Sequence, residues 1–265
     1  MKTVVVTGGT RGIGYGLALE FLKRGCQVVI CGRSEDSTQE AVDKLTAQYG
    51  GTHIFGQACD VSDYDQVRNL WVAAKEHFGG VDIWINNAGL SHAPVNLWQI
   101  DPERTQAVLD TNLLGLIYCN QVVIEGMMEQ GSGFIYNMEG SGSTGKPMPK
   151  LLLYQLTKRA LKFMTTGLVQ ATEDSLVNIG YLSPGMVATD LLREGYSPSE
   201  WERVKRIFNV LGDRVETVTP YLVEQILANN QHGARIAWLT TPKIIWRFAT
   251  ARFRKRDIFS DQSTD

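Results

Sequence analysis

Short apolar runs alternate with longer segments of helical spacing through the first 190 residues of the chain. The apolar runs occupy residues 4–7, 27–31, 53–58, 83–86, 133–137 and 178–182. Apolar residues recur at helical spacing in residues 13–24, 37–49, 63–78, 102–129 and 154–172. Continuous apolar runs are typical of strands that are buried on both faces. The alternation therefore predicts an α/β fold in which helices cover both faces of a parallel sheet.

A single domain is predicted over residues 1–265. No Pro/Gly/Ser-rich linker divides the chain, and its 43% hydrophobic and 20% charged residues are typical of a globular protein. We expect three parts in this domain: a binding and catalytic core at 1–190, helices that cover the substrate at 191–230, and a last strand near 235–240 with a basic, aromatic tail within 231–265.

Charge and cysteine content exclude several classes of protein. Lys plus Arg number 26 and Asp plus Glu 28, so no basic excess is present to hold nucleic acid. The four cysteines form no C-x-x-C pair and are predicted to be buried, reduced thiols. The four histidines are scattered without ligand spacing, so no metal site is expected.

The sequence shows no signal peptide pattern and no stretch of about 20 apolar residues that would span a bilayer. These features favour a cytoplasmic protein, or one at the plastid stroma or membrane periphery in a plant-type context.

A glycine-rich turn joins the first predicted strand to the first predicted helix, with the sequence Thr7-Gly8-Gly9-Thr10-Arg11-Gly12-Ile13-Gly14. Glycines at this place let backbone N–H groups approach a pyrophosphate, and the helix N-terminus favours its negative charge. Because the turn lies at the first strand–helix junction of an α/β pattern, it predicts a dinucleotide-binding Rossmann fold, a doubly wound parallel sheet flanked by helices.

The end of the second predicted strand indicates which dinucleotide is bound. An NAD site has an acid about 20 residues past the glycine turn, whereas Gly32 occupies that position here and Arg33 follows it. Arg11 lies within the glycine turn itself. Two guanidinium groups near the adenosine ribose suit a 2′-phosphate, so we expect NADP(H) as cofactor.

Tyr154 and Lys158 are the strongest catalytic candidates. A spacing of four residues places both side chains on one face of a helix. A free phenol titrates near 10 and is a poor acid–base group at neutral pH. We expect the Lys158 ammonium to favour the phenolate and bring the pKa of Tyr154 toward the working range.

Together these motifs resemble the short-chain dehydrogenase/reductase family over residues 3 to 190. The resemblance continues through Asp60-Val61, the Asn86-Asn87-Ala88-Gly89 segment, Asn112, and Ser183-Pro184-Gly185 with Thr189. It implies a single domain that binds a nicotinamide dinucleotide and transfers hydride to or from a carbonyl carbon.

The resemblance also implies a role for each matching residue. Tyr154 would exchange the proton, Lys158 would hold the nicotinamide ribose, and Asn112 would hold a water that relays protons to Lys158. The implied cofactor-binding residues are Gly8, Thr10, Arg11, Gly12, Ile13, Gly14, Arg33, Ser34, Asp60, Val61, Asn87, Ala88, Gly89, Tyr154, Lys158, Pro184, Gly185, Val187 and Thr189.

The catalytic serine departs from the family pattern. The family has a serine pair at the end of the fifth strand, where this chain has Met138, Glu139 and Gly140. Counting back 13 residues from Tyr154 reaches Ser141, which we predict to be catalytic, with Ser143 as the alternative. Glu139 is either buried near the site or solvated in a loop.

A narrower resemblance concerns the second half of the chain. The segment Asn137-Met138-Glu139-Gly140-Ser141-Gly142-Ser143 is similar to the N-M-[DE]-G-x-G-S segment of chlorophyll b reductases. That branch reduces a formyl group on a chlorin with NADPH, so the resemblance implies a large, flat, apolar substrate. Apolar and aromatic residues suited to cover such a ring follow Pro184, namely Met186, Leu191, Leu192, Tyr196, Trp201 and Phe208.

The resulting hypothesis is an NADPH-dependent carbonyl reductase with a small-molecule substrate, a formyl chlorin being the best single candidate. The alternatives are a reductase or dehydrogenase for another carbonyl or alcohol, and a dinucleotide-binding sensor without turnover.

The helices at 102–129 and 154–172 match those that pair subunits in the family, so a homodimer or homotetramer is expected. The basic and aromatic tail at 242–256 either packs on the domain or contacts a membrane surface.

Overall fold

The fold is known from a computed structural model that describes residues 1–254 and 256–259. Its strands are β1 Thr3–Thr7, β2 Gln27–Gly32, β3 Ile54–Ala58, β4 Ile83–Asn86, β5 Gly133–Met138, β6 Val177–Ser183 and β7 Arg235–Ala237. Within the described residues they form one sheet in the order β3-β2-β1-β4-β5-β6-β7, and all the pairs are parallel. The predicted parallel sheet is confirmed.

Ten α-helices are present in the described part of the chain. They are α1 Gly12–Lys23, α2 Glu35–Tyr49, α3 Tyr64–Phe78, α4 Pro102–Leu109, α5 Gly115–Gln130, α6 Leu152–Ala171, α7 Asp190–Arg193, α8 Pro198–Leu211, α9 Val215–Ala228 and α10 Thr241–Thr250. Local side chains determine where several of them begin. Asp63 caps α3 by accepting from the Gln66 N–H group, and Ser197 caps α8 together with Glu200.

Both faces of the sheet are covered by helices. Val4 and Val6 of β1 belong to a buried cluster that includes Leu17 of α1 and Leu222 of α9. Val5 points to the opposite face, into a cluster with side chains of α3 and α5. Because successive strand residues point to opposite faces, an apolar run such as 4–6 requires this two-sided cover. The four cysteines are buried free thiols, as predicted.

The helix predicted at 102–129 is interrupted. A π-helical turn at Asp110–Leu114 separates α4 from α5. In that turn the Asn112 amide donates to the Leu90 carbonyl at 2.8 Å and accepts from the Leu90 N–H group at 2.7 Å. The extra residue thus directs Asn112 toward the loop after β4, and such turns are frequent at functional sites.

By length and composition, the stretch Pro102–Gln130 would also qualify as a membrane span. Half of its most apolar 18-residue part is buried inside the fold. Helices of a protein core meet the same criteria, so the stretch is weak evidence for a membrane-spanning segment.

The C-terminal part departs from the prediction in detail. The strand expected at 235–240 ends at Ala237, and a helix, α10, begins at Thr241. Asp213, which is buried, connects this region to the domain because it accepts hydrogen bonds from Trp238, Arg247 and Arg256. Lys255 and residues 260–265 of the predicted tail lie outside the described residues.

Candidate active site

A cleft of about 610 Å³ opens at the carboxyl ends of β1, β2 and β4, beside the N-terminus of α1. In an open α/β sheet of this order, the chain turns to opposite sides at β1 and β4, which is where such sheets bind ligands. The predicted cofactor residues that line the cleft are Gly8, Thr10, Arg11, Gly12, Ile13, Gly14, Arg33, Ser34, Val61, Asn87, Ala88, Gly89 and Thr189.

The glycines of the first turn are required by its geometry. Gly8 and Gly12 have positive φ angles of 63° and 57°, which other residues adopt with strain. A Cβ atom on Gly14 would lie 2.1 Å from the Gly8 carbonyl oxygen. The Asn87 amide holds the turn in place by donating to the Thr7 and Gly8 carbonyls at 2.8 and 3.1 Å. This open backbone beside a helix N-terminus fits the pyrophosphate of a dinucleotide.

Close packing explains the glycine at the position where an NAD site has its acid. A Cβ atom on Gly32 would lie 2.6 Å from Cγ2 of Thr10 and 3.1 Å from Oγ1 of Thr38. A carboxylate side chain therefore has no room there without movement of both neighbours. The exposed Arg33 lines the cleft immediately after Gly32, and Ser34 caps α2. Arg11 lies 3.8 Å from Asp190, and both side chains are largely exposed.

The structure brings Tyr154 and Lys158 together at the end of β5. The Lys158 Nζ atom lies 5.8 Å from the centre of the Tyr154 ring and donates to the Met138 carbonyl at 3.0 Å. A Cβ atom on Gly140 would lie 2.4 Å from the Tyr154 hydroxyl. A Cβ atom on Gly89, which lines the cleft, would lie 3.8 Å from Lys158 Nζ. The proton donor candidate and the ammonium therefore lie next to the cleft.

Burial determines the protonation of this pair. Burial raises the pKa of Tyr154 to about 12 and lowers the pKa of Lys158 to about 8. The Glu139 carboxylate partly opposes the lowering of the Lys158 pKa. The expected lowering of the Tyr154 pKa by Lys158 is wrong for this structure, because desolvation of the phenolate dominates. Tyr154 is thus a neutral phenol at neutral pH, which is the form that can donate a proton.

The two candidate serines have different surroundings. Ser141 is exposed, and its hydroxyl accepts from the Gln155 amide at 3.0 Å. Ser143 is buried, and its hydroxyl accepts from the Gly140 N–H group at 3.2 Å. Since Gly140 packs against the Tyr154 hydroxyl, the structure places Ser143 beside the residue that contacts the phenol.

The remaining predicted residues surround the same edge of the sheet. The Asp60 carboxylate accepts from the N–H and hydroxyl groups of Ser62. Val187 is buried and pairs with Asp213 through an isolated bridge. Gly185, with a φ of 75°, packs against Leu239, and Pro184 precedes it after β6. These groups shape the loops around the cleft.

Comparison with known proteins is consistent with this geometry. The model of the short chain dehydrogenase family matches residues 2–199. The chain belongs to this family. Like other short-chain dehydrogenases, it is an oxidoreductase that binds a nicotinamide dinucleotide.

Individual relatives of this short-chain dehydrogenase differ in what they act on. Chlorophyll(ide) b reductase NOL, chloroplastic, of Oryza sativa subsp. japonica is 40% identical over 232 residues, which are 85% of this chain and 66% of the relative. The chain thus spans just under two thirds of that relative's length.

Two solved structures have a TM-score of 0.75 to this chain. A 3-ketoacyl-(acyl-carrier-protein) reductase from Brucella melitensis complexed with NADH is 25% identical, with 89% of this chain and 96% of that chain covered. ElxO with NADP bound is 27% identical, with 89% of this chain and 96% of that chain covered.

The sequence left the position of Glu139 undecided and did not reveal a buried polar network in this dehydrogenase. Glu139 is buried, with Oε2 paired to Arg235 at 2.7 Å and Oε1 without a hydrogen-bond partner among the described residues. A network of buried side chains also supports β5 from behind and consists of Asn86, Asn120, Asn137 and Thr165. The asparagines within apolar strand and helix segments were the available signal, because buried amides must be hydrogen-bonded.

Proposed function

We propose that this short-chain dehydrogenase is an NADPH-dependent carbonyl reductase. The observation that carries the proposal is a neutral Tyr154 phenol held beside Lys158 next to the dinucleotide cleft. NADPH, when bound in the cleft, would supply the hydride for the carbonyl carbon. Tyr154 donates its proton to the carbonyl oxygen, and a group that is protonated at neutral pH suits this direction of reaction.

Lys158 supports the proton donor in this proposal. Its ammonium would hold the nicotinamide ribose and pass protons toward Tyr154. A cavity of about 10 Å³ lined by Asn112, Thr111 and Lys158 is close to the size needed for one water. The Asn112 side-chain amide already donates hydrogen bonds to Leu90 and Thr157. We therefore propose that a water in this cavity lies beside the Asn112 amide and completes the proton relay to Lys158.

The hydroxyl that would orient the carbonyl oxygen is assigned to Ser143 rather than to Ser141, which the residue spacing favours, because Ser143 is buried beside Gly140 whereas Ser141 is exposed. Ser143→Ala is expected to lower kcat about 100-fold, by analogy with loss of one oxyanion donor. Ser141→Ala is the matched control and should retain most activity. The reverse ranking in steady-state kinetics would return the role to Ser141.

The preference for NADPH is supported by Arg33 and by the close packing at Gly32. A charge-assisted contact with the 2′-phosphate is worth about 1.5–3 kcal/mol, so Arg33→Ala should weaken NADPH binding about tenfold or more. NADH, which lacks this phosphate, serves as the control ligand and should bind both proteins equally. Fluorescence titration in which the unmodified protein binds NADH as tightly as NADPH would contradict the preference.

The proposed substrate is a formyl chlorin, reduced from chlorophyll(ide) b to the 7-hydroxymethyl form. Support comes from the rice relative and from the segment Asn137 to Ser143. Of the aromatic residues expected to cover the ring, three instead pack with one another and with Phe259, namely Tyr196, Trp201 and Phe208, and none of them lines the cleft. Leu191 lines the cleft itself. This substrate favours the plastid stroma or membrane periphery over the cytoplasm, in keeping with the chloroplastic relative.

The test of function combines the protein, NADPH and chlorophyllide b, and follows both NADPH oxidation and the 7-hydroxymethyl product. A panel of small aldehydes and ketones is assayed in parallel. Reduction of the panel without chlorin product would contradict the substrate and leave the carbonyl reductase. NADPH binding without oxidation by any carbonyl would instead support a sensor.

A dimer or tetramer is proposed from the outward faces of α5 and α6. Phe163 is 84% exposed, and Ile117, Met128 and Leu156 are also exposed. Apolar side chains on two neighbouring helices are suited to pair with a second copy about a two-fold axis. Light scattering at micromolar concentration should give at least twice the chain mass of 29.5 kDa. Phe163→Glu should shift the mass toward one chain, whereas a single-chain mass for the unmodified protein would contradict the assembly.

A further inference from the structure

Helix α10 has an inverted distribution of side chains. Arg247 is 7% exposed, whereas Ile245, Trp246 and Phe248 are 65%, 51% and 53% exposed. Phe253, just after the helix, is 84% exposed. A helix packed on a water-soluble domain normally buries its apolar stripe and exposes its charges. The helix therefore presents apolar and aromatic groups outward.

Buried electrostatic contacts hold the helix in this orientation. Arg247 Nη2 donates to both carboxylate oxygens of Asp213 at 2.9 and 2.7 Å, and Arg247 Nη1 donates to the Leu211 carbonyl at 2.7 Å. Arg256 donates to the same carboxylate at 2.5 Å. Rotation of the helix to bury its aromatic groups would leave the Asp213 charge buried with one partner fewer, which is strongly unfavourable.

The exposed groups form one continuous surface. Residues 245, 248, 249 and 252 follow the three- and four-residue spacing of a helix face, and residues 246 and 253 lie beside them. Arg206 lies on the neighbouring helix, α8. A groove between α8 and α10 is lined by Arg206, Trp246 and Arg254 among others. We call this surface the α10 face.

Charge indicates what kind of partner the α10 face fits. Residues 241–256 contain six basic residues and no acidic residue. Arg247 and Arg256 are used by Asp213, while Arg252 is exposed and Arg254 lies over the Trp246 ring at 5.2 Å. A second copy meeting this face about a two-fold axis would bring like charges together. Basic side chains around Trp and Phe are instead typical of helices that lie in a lipid headgroup region.

We propose that the α10 face binds the surface of an anionic lipid bilayer, with Ile245, Trp246, Phe248 and Phe253 entering the headgroup boundary and Arg252 and Arg254 contacting lipid phosphate. The proposal is independent of the reductase activity. It would give the domain a defined orientation on a membrane surface.

The experiment is flotation of the full chain with vesicles of neutral phosphatidylcholine or of phosphatidylcholine with 30% phosphatidylglycerol. We expect binding to the anionic vesicles that is at least about tenfold stronger and falls with salt, because each basic group near such a surface contributes about fivefold. Arg252→Glu/Arg254→Glu should reduce it by at least about tenfold. Phe248→Ser should also reduce it, whereas Trp98→Ser, which changes an 83% exposed aromatic elsewhere, should not.

Thermal unfolding and NADPH titration confirm that each variant is folded. Equal binding to both vesicle types, or unchanged binding of folded Phe248→Ser and Arg252→Glu/Arg254→Glu proteins, would overturn the proposal. A fall in the oligomeric mass of Phe248→Ser would overturn it too, because the face would then be an interface between protein chains.

Discussion

Tyr154→Phe is expected to lower kcat for carbonyl reduction by at least about 100-fold and to leave NADPH affinity nearly unchanged. General acid catalysis contributes about 10²–10⁴-fold, and this substitution removes only the hydroxyl that would donate the proton. The ring, which packs at Gly140 beside Lys158, stays in place. Stopped-flow single-turnover kinetics separate the chemical step from cofactor binding and product release.

A matched control for this variant is Tyr64→Phe. Tyr64 is 39% exposed on α3, and its ring contacts Tyr118 at 5.4 Å between centroids. The same hydroxyl deletion there should leave kcat within about twofold of the unmodified protein, since surface changes have small effects. Near-full activity of Tyr154→Phe with a carbonyl substrate would remove Tyr154 from the mechanism.

Lys158→Met is expected to abolish most activity and at the same time to stabilise the fold. Burial lowers the pKa of Lys158 from 10.5 to about 8, so the folded chain at pH 7 holds an ammonium less favourably than the unfolded chain does. The shift corresponds to about 3 kcal/mol, and loss of the hydrogen bond to the Met138 carbonyl offsets about 1 kcal/mol. A net gain of about 2 kcal/mol in the free energy of unfolding is expected for the methionine variant, which conserves volume.

The pH dependence of that gain identifies its cause. Below pH 8 Lys158 is protonated in both states, so the unfavourable burial of its charge is fully present. As the pH rises from 8 toward 10.5, the folded lysine becomes neutral before the unfolded one, and the advantage of methionine shrinks. Urea unfolding at pH 7 and pH 10 measures this difference. Lys162→Met, one turn further along α6, is the control, and its stability difference should not vary in this way.

A stability loss for Lys158→Met at pH 7 would show that Lys158 contributes to the fold chiefly through its hydrogen bond to the Met138 carbonyl and its electrostatic attraction to Glu139. Unchanged NADPH affinity in the same variant would contradict the proposed contact of Lys158 with the nicotinamide ribose. The two measurements therefore test different parts of the assignment.

Patterns within short stretches of sequence were enough to predict the sheet and the cofactor cleft. Valine-rich runs such as 4–6 are stable only when both faces are covered, and their alternation with helical segments is typical of a parallel sheet between helices. The glycine turn at 7–14 likewise depends on local backbone geometry, as the clash at Gly14 demonstrates. The four-residue spacing of Tyr154 and Lys158 brings them together on any helix. Local sequence therefore determined these features.

Features that depend on distant contacts were decided only by the tertiary structure. The predicted pKa direction of Tyr154 was wrong because desolvation depends on what packs around the phenol, including Gly140. The burial of Glu139 depends on Arg235, which is 96 residues away along the chain. Ser143 replaced Ser141 as the better candidate because the loop folds back on Gly140.

The orientation of α10 most clearly separates what local sequence determines from what tertiary contacts decide. Its sequence shows an amphipathic mixture of aromatic and basic residues, which left open whether the apolar stripe packs on the domain or faces a membrane surface. The buried carboxylate of Asp213, 34 residues earlier, instead draws Arg247 inward. Sequence by itself determined the parallel sheet, the glycine turn and the proximity of Tyr154 to Lys158, because those follow from local geometry. Which groups are buried, charged or turned outward was decided by tertiary structure, because burial and electrostatic pairing depend on residues far apart in the chain.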